Sequence, residues 1–248
     1  MDSDNNKLKL LYKTILGRVL LKLIFCRRWF SKMASIYYNS SLSKIEGYHS
    51  YNDWFTRKKT VNICGSEIDL ISVAEANLSV IREEGNSFIV KDSVYDLEEL
   101  VNDKKLAEEF KDGIILIFRL EYNYYHRYIF IDDGRLVFSK QINGELHTVR
   151  PIASKYKVYK RNTRIVNLLK TDNFGDVLQI EVGALLVGKI ENDNKIKFKR
   201  GEEKGHFELG GSTIIQVYKK NVIEIEEHIE EIKVDIGEKI GEKNVKKN

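Results

Sequence analysis

Leu8, Leu11, Ile15, Val19 and Leu23 recur at helical spacing, and Leu16 and Leu20 widen the stripe. Lysines and arginines occupy much of the other side, Arg18 and Lys22 among them, and Arg27, Arg28, Trp29 and Phe30 follow. The pattern predicts a basic amphipathic helix. Arg18 and Lys22 interrupt its longest apolar stretches, so it does not read as a bilayer span. Two arrangements satisfy such a helix. It lies in the plane of a membrane interface, or it packs on a core with its lysines toward water.

Tyr48–Lys59 reads as a loop or short helix carrying Asp53-Trp54-Phe55-Thr56-Arg57-Lys58. From Asp69 onward the chain reads mostly as strands. They are predicted at Asp69–Val73, Leu78–Ile81, Ser87–Val90, Ile114–Leu120, Tyr125–Ile131, Arg135–Lys140, Arg164–Leu169, Val177–Val182, Leu185–Ile190, Lys195–Lys199, Ser212–Tyr218 and Val222–Ile225. Asp132-Asp133-Gly134, Asn143-Gly144, Asn173-Phe174-Gly175 and Asn192-Asp193-Asn194 supply the turns. One helix interrupts, Tyr95–Lys111, with Leu97, Leu100, Val101 and Leu106 on one side. The expected fold class is α+β, with N-terminal amphipathic helices ahead of a β-rich, barrel- or sandwich-like body. Two regions follow: a helical, membrane-associating region over 1–60 and a β-rich domain over 61–248.

A chain of 248 residues can bury a substantial core. Its composition, 42% apolar and 31% charged, is that of a globular protein, and the single proline, Pro151, argues against Pro-rich linkers. Cys26 and Cys64 are too few for a disulfide framework and lack metal-ligand spacing, which fits a reducing cytosol and predicts no metal. No secretory leader is read at the start. The net charge of +4 is unevenly spread. Residues 1–32 carry Lys7, Lys9, Lys13, Arg18, Lys22, Arg27, Arg28 and Lys32 against Asp2 and Asp4, a local excess of +6. Glu224–Glu231 is acidic, and Lys243–Lys247 is basic again. A basic end of this kind suits an anionic membrane or a nucleic acid. The interleaved Leu/Ile/Val stripe favours membrane or core over phosphate contact, so nucleic acid is set aside.

The strongest chemical signal is Lys204-Gly205-His206-Phe207-Glu208-Leu209-Gly210-Gly211-Ser212-Thr213-Ile214-Ile215. Taken alone, Gly-Gly-Ser-Thr reads as a hairpin turn leading into a strand at Ile214–Tyr218. It also permits a reaction. Two glycines let the backbone take conformations closed to other residues, and a serine there can bring its Oγ against the preceding carbonyl. Attack of Ser212 on the Gly211 carbonyl turns the peptide into an ester. β-Elimination then cuts the chain and leaves a dehydroalanine, which hydrolyses to a pyruvoyl group.

Further motifs accompany this segment. They are Val182-Gly183-Ala184-Leu185-Leu186-Val187-Gly188-Lys189-Ile190, Phe118-Arg119-Leu120, Tyr125-His126-Arg127, Val149-Arg150-Pro151-Ile152-Ala153 and Asp53-Trp54-Phe55-Thr56-Arg57, with Gly17-Arg18 ahead of them. In this order the chain resembles the phosphatidylserine decarboxylases, in particular their Gram-positive, clostridial-like branch. The resemblance runs from about Leu16 to Gly241 and is strongest over Arg200–Ile215. It implies a peripheral lyase on the cytoplasmic side of the cell membrane. Such an enzyme converts phosphatidylserine to phosphatidylethanolamine and carbon dioxide. It is made as a zymogen, and cleavage between Gly211 and Ser212 would give a β chain and an α chain whose pyruvoyl group derives from Ser212. His126 would assist decarboxylation. Arg18, Lys22, Arg27, Arg28 and Trp29 would touch the anionic surface. A homodimer is a further expectation.

Self-cleavage in that family is assigned to a serine, a histidine and an aspartate. Here the aspartate's place falls in Val73-Ala74-Glu75-Ala76, where Glu75 keeps the charge with one more methylene. The histidine's place is Ile129, which accepts no proton. His206 and His147 are the substitute bases nearest to hand, ahead of His228. These departures leave a second reading: a non-catalytic, uncleaved homologue that binds anionic phospholipid or a partner protein.

Overall fold

A computed structural model describes residues 14, 16–17, 19–20, 23, 27, 47–82, 87–90, 93–121, 123–144, 158–186, 189–193, 195–208, 210–226 and 231–245. The chain divides into two compact units, Met1–Arg57 and Lys58–Asn248.

In the first unit, Leu16, Gly17, Val19, Leu20 and Leu23 are helical, as the stripe predicts. Their apolar side chains face out: Leu16 is 80% exposed, and Val19, Leu20 and Leu23 are exposed too. Arg27 is exposed. Arg18, Lys22, Arg28 and Trp29 lie outside the described residues. Helix α1 (Tyr51–Phe55) starts where the Ser50 hydroxyl accepts the Asp53 amide at 3.1 Å, which satisfies one of the amides a helix start leaves open. The Arg57 guanidinium stacks 4.6 Å over the Trp54 ring.

The second unit is built from strands. In chain order it comprises β1 (Asp69–Ile71), β2 (Ala76–Arg82), β3 (Ser87–Val90), β4 (Ser93–Asp96), α2 (Leu97–Val101), α3 (Lys104–Glu109), β5 (Ile114–Leu120), β6 (Arg127–Ile129), β7 (Gly134–Ile142) and α4 (Val158–Arg161). There follow β8 (Arg164–Thr171), β9 (Gly175–Leu186), β10 (Ile190–Asn192), β11 (Lys197–Phe198), β12 (Glu203–Phe207), β13 (Gly210–Tyr218), β14 (Ile223–Glu224), β15 (Ile232–Val234) and β16 (Lys239–Lys243). An eight-stranded antiparallel sheet runs β11-β7-β8-β9-β13-β5-β2-β15. Small sheets β10-β12-β6, β1-β16-β14 and β3-β4 complete the unit among the described residues. This is the α+β, strand-rich body the sequence predicts.

Alternation along the central strands sends two different sets of side chains to the two faces of the large sheet. One face carries Ile115, Ile117, Val166, Leu178, Ile180, Val182, Ile215 and Val217, packed on Leu97, Leu100, Val101, Leu106, Ala107 and Phe110 from the α2–α3 segment and on Tyr159 of α4. Each such large side chain, fully buried, contributes roughly 1.5–3 kcal/mol. Buried Arg164 of β8 ties this layer down. Its guanidinium donates to the Leu100 carbonyl at 2.6 Å and the Glu99 carbonyl at 3.0 Å, groups that a short helix leaves open.

Three expectations are corrected. The helix over Tyr95–Lys111 is two short helices. Asn102 is left-handed at φ 52°, and the Asp103 side chain caps α3 by accepting the Leu106 amide. Tyr95 belongs to β4. The strand expected at Leu185–Ile190 is instead the end of β9 followed by the separate β10. The Gly-Gly-Ser segment is no hairpin turn. It lies inside β13, whose partners are β5 and β9, whereas β12 pairs with β10 and β6.

Candidate active site

Ser212 sits in the middle of the large sheet. It is paired with Leu120 of β5 on one side and Gly183 of β9 on the other. Between Gly210, opposite Leu186, and Ser212, opposite Gly183, the register shifts, and β9 carries one residue more than β13. This is a β-bulge beside Gly211, a device common next to active sites because it bends the ladder locally. Glycines at 210 and 211 bring no side chain into that bend.

Beyond the bulge β13 alternates regularly. Thr213, Ile215 and Val217 turn to the helix layer, where Tyr159 is buried and Thr213 Oγ1 has no hydrogen-bond partner among the described residues. Burial pushes the Tyr159 phenol up to about 12, against the pull of the Arg119 charge. Ser212, Ile214, Gln216 and Tyr218 take the opposite face. Ser212 is 0% exposed, and its Oγ has no hydrogen-bond partner among the described residues. Burying a hydroxyl in that state costs roughly 1–3 kcal/mol. A native protein keeps few such groups, and reactive centres are one place where they persist.

His126 is fully buried, and its Nδ1 lies 2.9 Å from the Tyr124 carbonyl. A carbonyl only accepts, so Nδ1 carries the proton, and in the neutral ring Nε2 holds the lone pair. The His126 carbonyl accepts the Phe207 amide at 3.0 Å, which fastens this segment to the strand that leads into Ser212.

Glu75 stands at the mouth of a charged cluster. Its Oε2 accepts the Tyr125 amide at 3.1 Å and Lys59 Nζ at 3.3 Å, and Lys233 Nζ lies 3.9 Å from Oε1. Lys59 and Lys233 also stand over the rings of Tyr125 and Tyr124. Ile129 is buried, and its amide donates to the Val73 carbonyl at 3.1 Å. The backbone therefore brings the segments of Glu75 and Ile129 together, while the Glu75 carboxylate is held by lysines.

His206, in the middle strand of its small sheet, lies opposite Arg127 and Glu191 and is half-buried. Burial, and next to it the Arg127 charge, pushes its pKa below 6.5, against the pull of Glu203, Glu191 and Glu208. His147 and His228 lie outside the described residues. Among the described residues no three His, Cys, Asp or Glu side chains gather as a metal-ligating group, and no helix is long and apolar enough to cross a membrane.

Sequence reasoning missed a buried polar network on the Ser212 face. Lys204 Nζ of β12 lies 2.8 Å from Glu181 Oε1 of β9, with side chains 3% and 0% exposed. Glu181 also accepts from Gln179 at 2.8 Å, Asn167 at 2.6 Å and Asn192 at 3.3 Å. Gln216 donates to Gln179, Tyr218 donates to Gln216, and Tyr128 donates to Asn192. Burial pushes Lys204 below its ordinary pKa, and the Glu181 carboxylate opposes that shift. In the sequence, Gln179 and Glu181 alternate with Ile180 and Val182, the pattern of a strand with one polar face, and nothing local says that this face is covered.

A buried serine behind two glycines, in the central strand of an antiparallel sheet, defines the class: a strand-rich protein with an unpaired serine hydroxyl, among the described residues, built into its sheet. The family model described as phosphatidylserine decarboxylase matches residues 51–242. Phosphatidylserine decarboxylase proenzyme 2 of Clostridium acetobutylicum is 47% identical, over 97% of this chain and 93% of its own length. The phosphatidylserine decarboxylase proenzyme of Clostridium tetani is 41% identical over 83% of this chain and 74% of its own. That of Clostridium perfringens strain ATCC 13124 is 36% identical over 94% and 91%. The chain belongs to the phosphatidylserine decarboxylase family.

Proposed function

We propose that this protein is a carboxy-lyase that converts phosphatidylserine to phosphatidylethanolamine and carbon dioxide, made as a zymogen that cleaves itself between Gly211 and Ser212. The observation that carries the reading is the Ser212 hydroxyl, buried without a hydrogen bond among the described residues beside a bulge at Gly211. Membership of the family supports it.

Ser212 Oγ loses its proton and bonds to the Gly211 carbonyl carbon. The C–N bond between the two residues breaks, leaving an ester and a free amine. Loss of the Ser212 Cα proton expels the Gly211 carboxylate and gives dehydroalanine. Water then releases ammonia and leaves the pyruvoyl group. The surroundings fit that group: Gly183 opposite position 212 brings no side chain, and Leu120 pairs with it on the other side, which leaves room for a small carbonyl. When formed, it supplies a ketone that captures the substrate amine and draws electrons from the departing carboxylate.

The chain's own groups do the rest. His126, with Nδ1 committed to Tyr124, exchanges its proton with substrate through Nε2. Glu75 takes the place of the family's aspartate in a weakened form. The Ser212 proton goes to a substitute base, His206 or His147. Region 1–60 associates with the membrane, with Arg18, Lys22, Arg27, Arg28 and Trp29 at the anionic surface, and domain 61–248 carries the chemistry. The enzyme works peripherally at the cytoplasmic side, as a homodimer of α- and β-chain pairs.

The test is incubation of purified protein with phosphatidylserine vesicles. Phosphatidylethanolamine and carbon dioxide in equal amounts are expected. Vesicle binding by an intact chain, with neither product, overturns the reading in favour of a non-catalytic homologue, which Ile129 and the lysine-bound Glu75 would then explain.

A further inference from the structure

We propose that Lys204 and Glu181 are positioning residues for the Gly211–Ser212 site, their buried ion pair fixing the register at which β12 feeds β13. The inference rests on the self-cleavage reading and adds to it the groups that aim the serine.

The pair lies on the face of the large sheet that Ser212 shares. Glu181 is opposite Ile214, and Gly183 is opposite Ser212, so Glu181 and Ser212 are diagonal neighbours across β9 and β13. Diagonal positions on one face stand roughly 7–8 Å apart. Lys204 reaches Glu181 from a different sheet, because a second β-bulge redirects it. In the pairing of β12 with β6, Glu203 opposes Ile129 and Gly205 opposes Tyr128, which leaves Lys204 as the extra residue. Bulges re-aim side chains in this way. Gly205 completes the fit. A Cβ there would stand 2.8 Å from both the Tyr128 hydroxyl and Asn192 Oδ1, the groups that join β6 and β10 to the same network.

The consequence follows from the length of the connection. Only Glu208 and Leu209 separate β12 from β13. A slip of one residue in β12 would be passed into β13, where one residue exchanges the two faces. Thr213 would then stand where Ser212 stands. Burial of one apolar face already disfavours such a slip. The charged pair adds five directional hydrogen bonds: Lys204 on Glu181 and Asn192, and Glu181 on Gln179, Asn167 and Asn192. Among the described residues, none of the pair's hydrogen bonds runs to Ser212, His126, Glu75 or His206, so its effect on the reaction is through position.

The experiment compares timed cleavage, read by intact mass, with thermal melting. Replacing a buried ion pair by apolar groups is often neutral or stabilising, but Glu181→Leu also strips the Gln179, Asn167 and Asn192 amides of their acceptor. The Lys204→Met/Glu181→Leu variant is therefore expected to melt somewhat lower than its parent, both compared in a Ser212→Ala background, yet to stay folded, and with Ser212 present to cleave slower by about tenfold to a hundredfold, the size of loss that a small misplacement produces. Lys204→Arg, which keeps the pair, is expected to restore cleavage. Wild-type cleavage in the apolar variant overturns the proposal. Should that variant fail to fold, Lys204→Met/Glu181→Gln takes its place under the same criteria. Hydrogen exchange at residues 203–207, measured with and without the apolar pair in a Ser212→Ala background, reads the register without any cleavage. Faster exchange in the variant carrying the apolar replacement supports the proposal, and unchanged exchange overturns it. A wild-type chain that never cleaves overturns the self-cleavage reading alone, and the exchange result still decides this one.

Discussion

The Ile129 amide donates to the Val73 carbonyl at 3.1 Å, so the backbone joins the two segments in which the family keeps a histidine and an aspartate. On the proposed correspondence of Glu75 and Ile129 with that pair, the backbone still joins the two places while the side chains differ. Ile129→His is expected to speed cleavage by roughly a hundredfold or more, within the range a positioned general base contributes. Pulse-labelled synthesis at neutral pH, sampled by mass, checks this. Equal rates for the variant and wild type would show that the proton leaves Ser212 by a route independent of position 129.

Ser212→Ala removes a buried hydroxyl that has no hydrogen bond among the described residues, and with it a burial cost of roughly 1–3 kcal/mol. The variant is expected to remain one full-length chain and to melt at or above the temperature of the freshly made, uncleaved wild-type precursor. A melting point several degrees lower would mean that the hydroxyl has a stabilising partner.

His126→Gln separates the two proposed reactions. Its chain is expected to cleave while phosphatidylethanolamine formation falls by roughly a hundredfold to ten-thousandfold, the usual contribution of a general acid or base. The loss should fall on kcat, with KM little changed. Loss of cleavage instead would move His126 to the maturation step.

His206 gives a pH prediction. Its folded-state pKa lies below 6.5, so the unfolded chain binds the proton more readily. The neutral ring's contribution to stability is full above 6.5 and declines as pH falls from there through the folded pKa. The urea midpoint of wild type should therefore drop between pH 8 and pH 5 by more than that of His206→Gln, modestly because the ring is half-exposed. Parallel curves for the two proteins would contradict the assignment.

The long strands were legible because their residues alternate or run apolar over many positions: Ile114–Leu120 appears as expected, and Ser87–Val90 likewise. β12 was missed because Glu203-Lys204-Gly205-His206-Phe207 offers a single large apolar side chain, and its Lys204 is buried by an ion pair that no local pattern announces. The break at Asn102-Asp103 was readable as a left-handed cap followed by a helix start. Gly210-Gly211 marked the place of a register shift, but the shift itself depends on an extra residue in β9, a strand distant in sequence. Ser212 was legible as a candidate reactive residue, whereas its burial and its lack of a hydrogen bond among the described residues emerge only from the packed sheet.

The most direct measurement is the intact mass of the purified, denatured protein. The account predicts two chains, one ending at Gly211 and the other running from a pyruvoyl group at position 212, with the second lacking the mass difference between serine and pyruvate. A single chain with the mass of all 248 residues, persisting after prolonged incubation with anionic phospholipid, would contradict it.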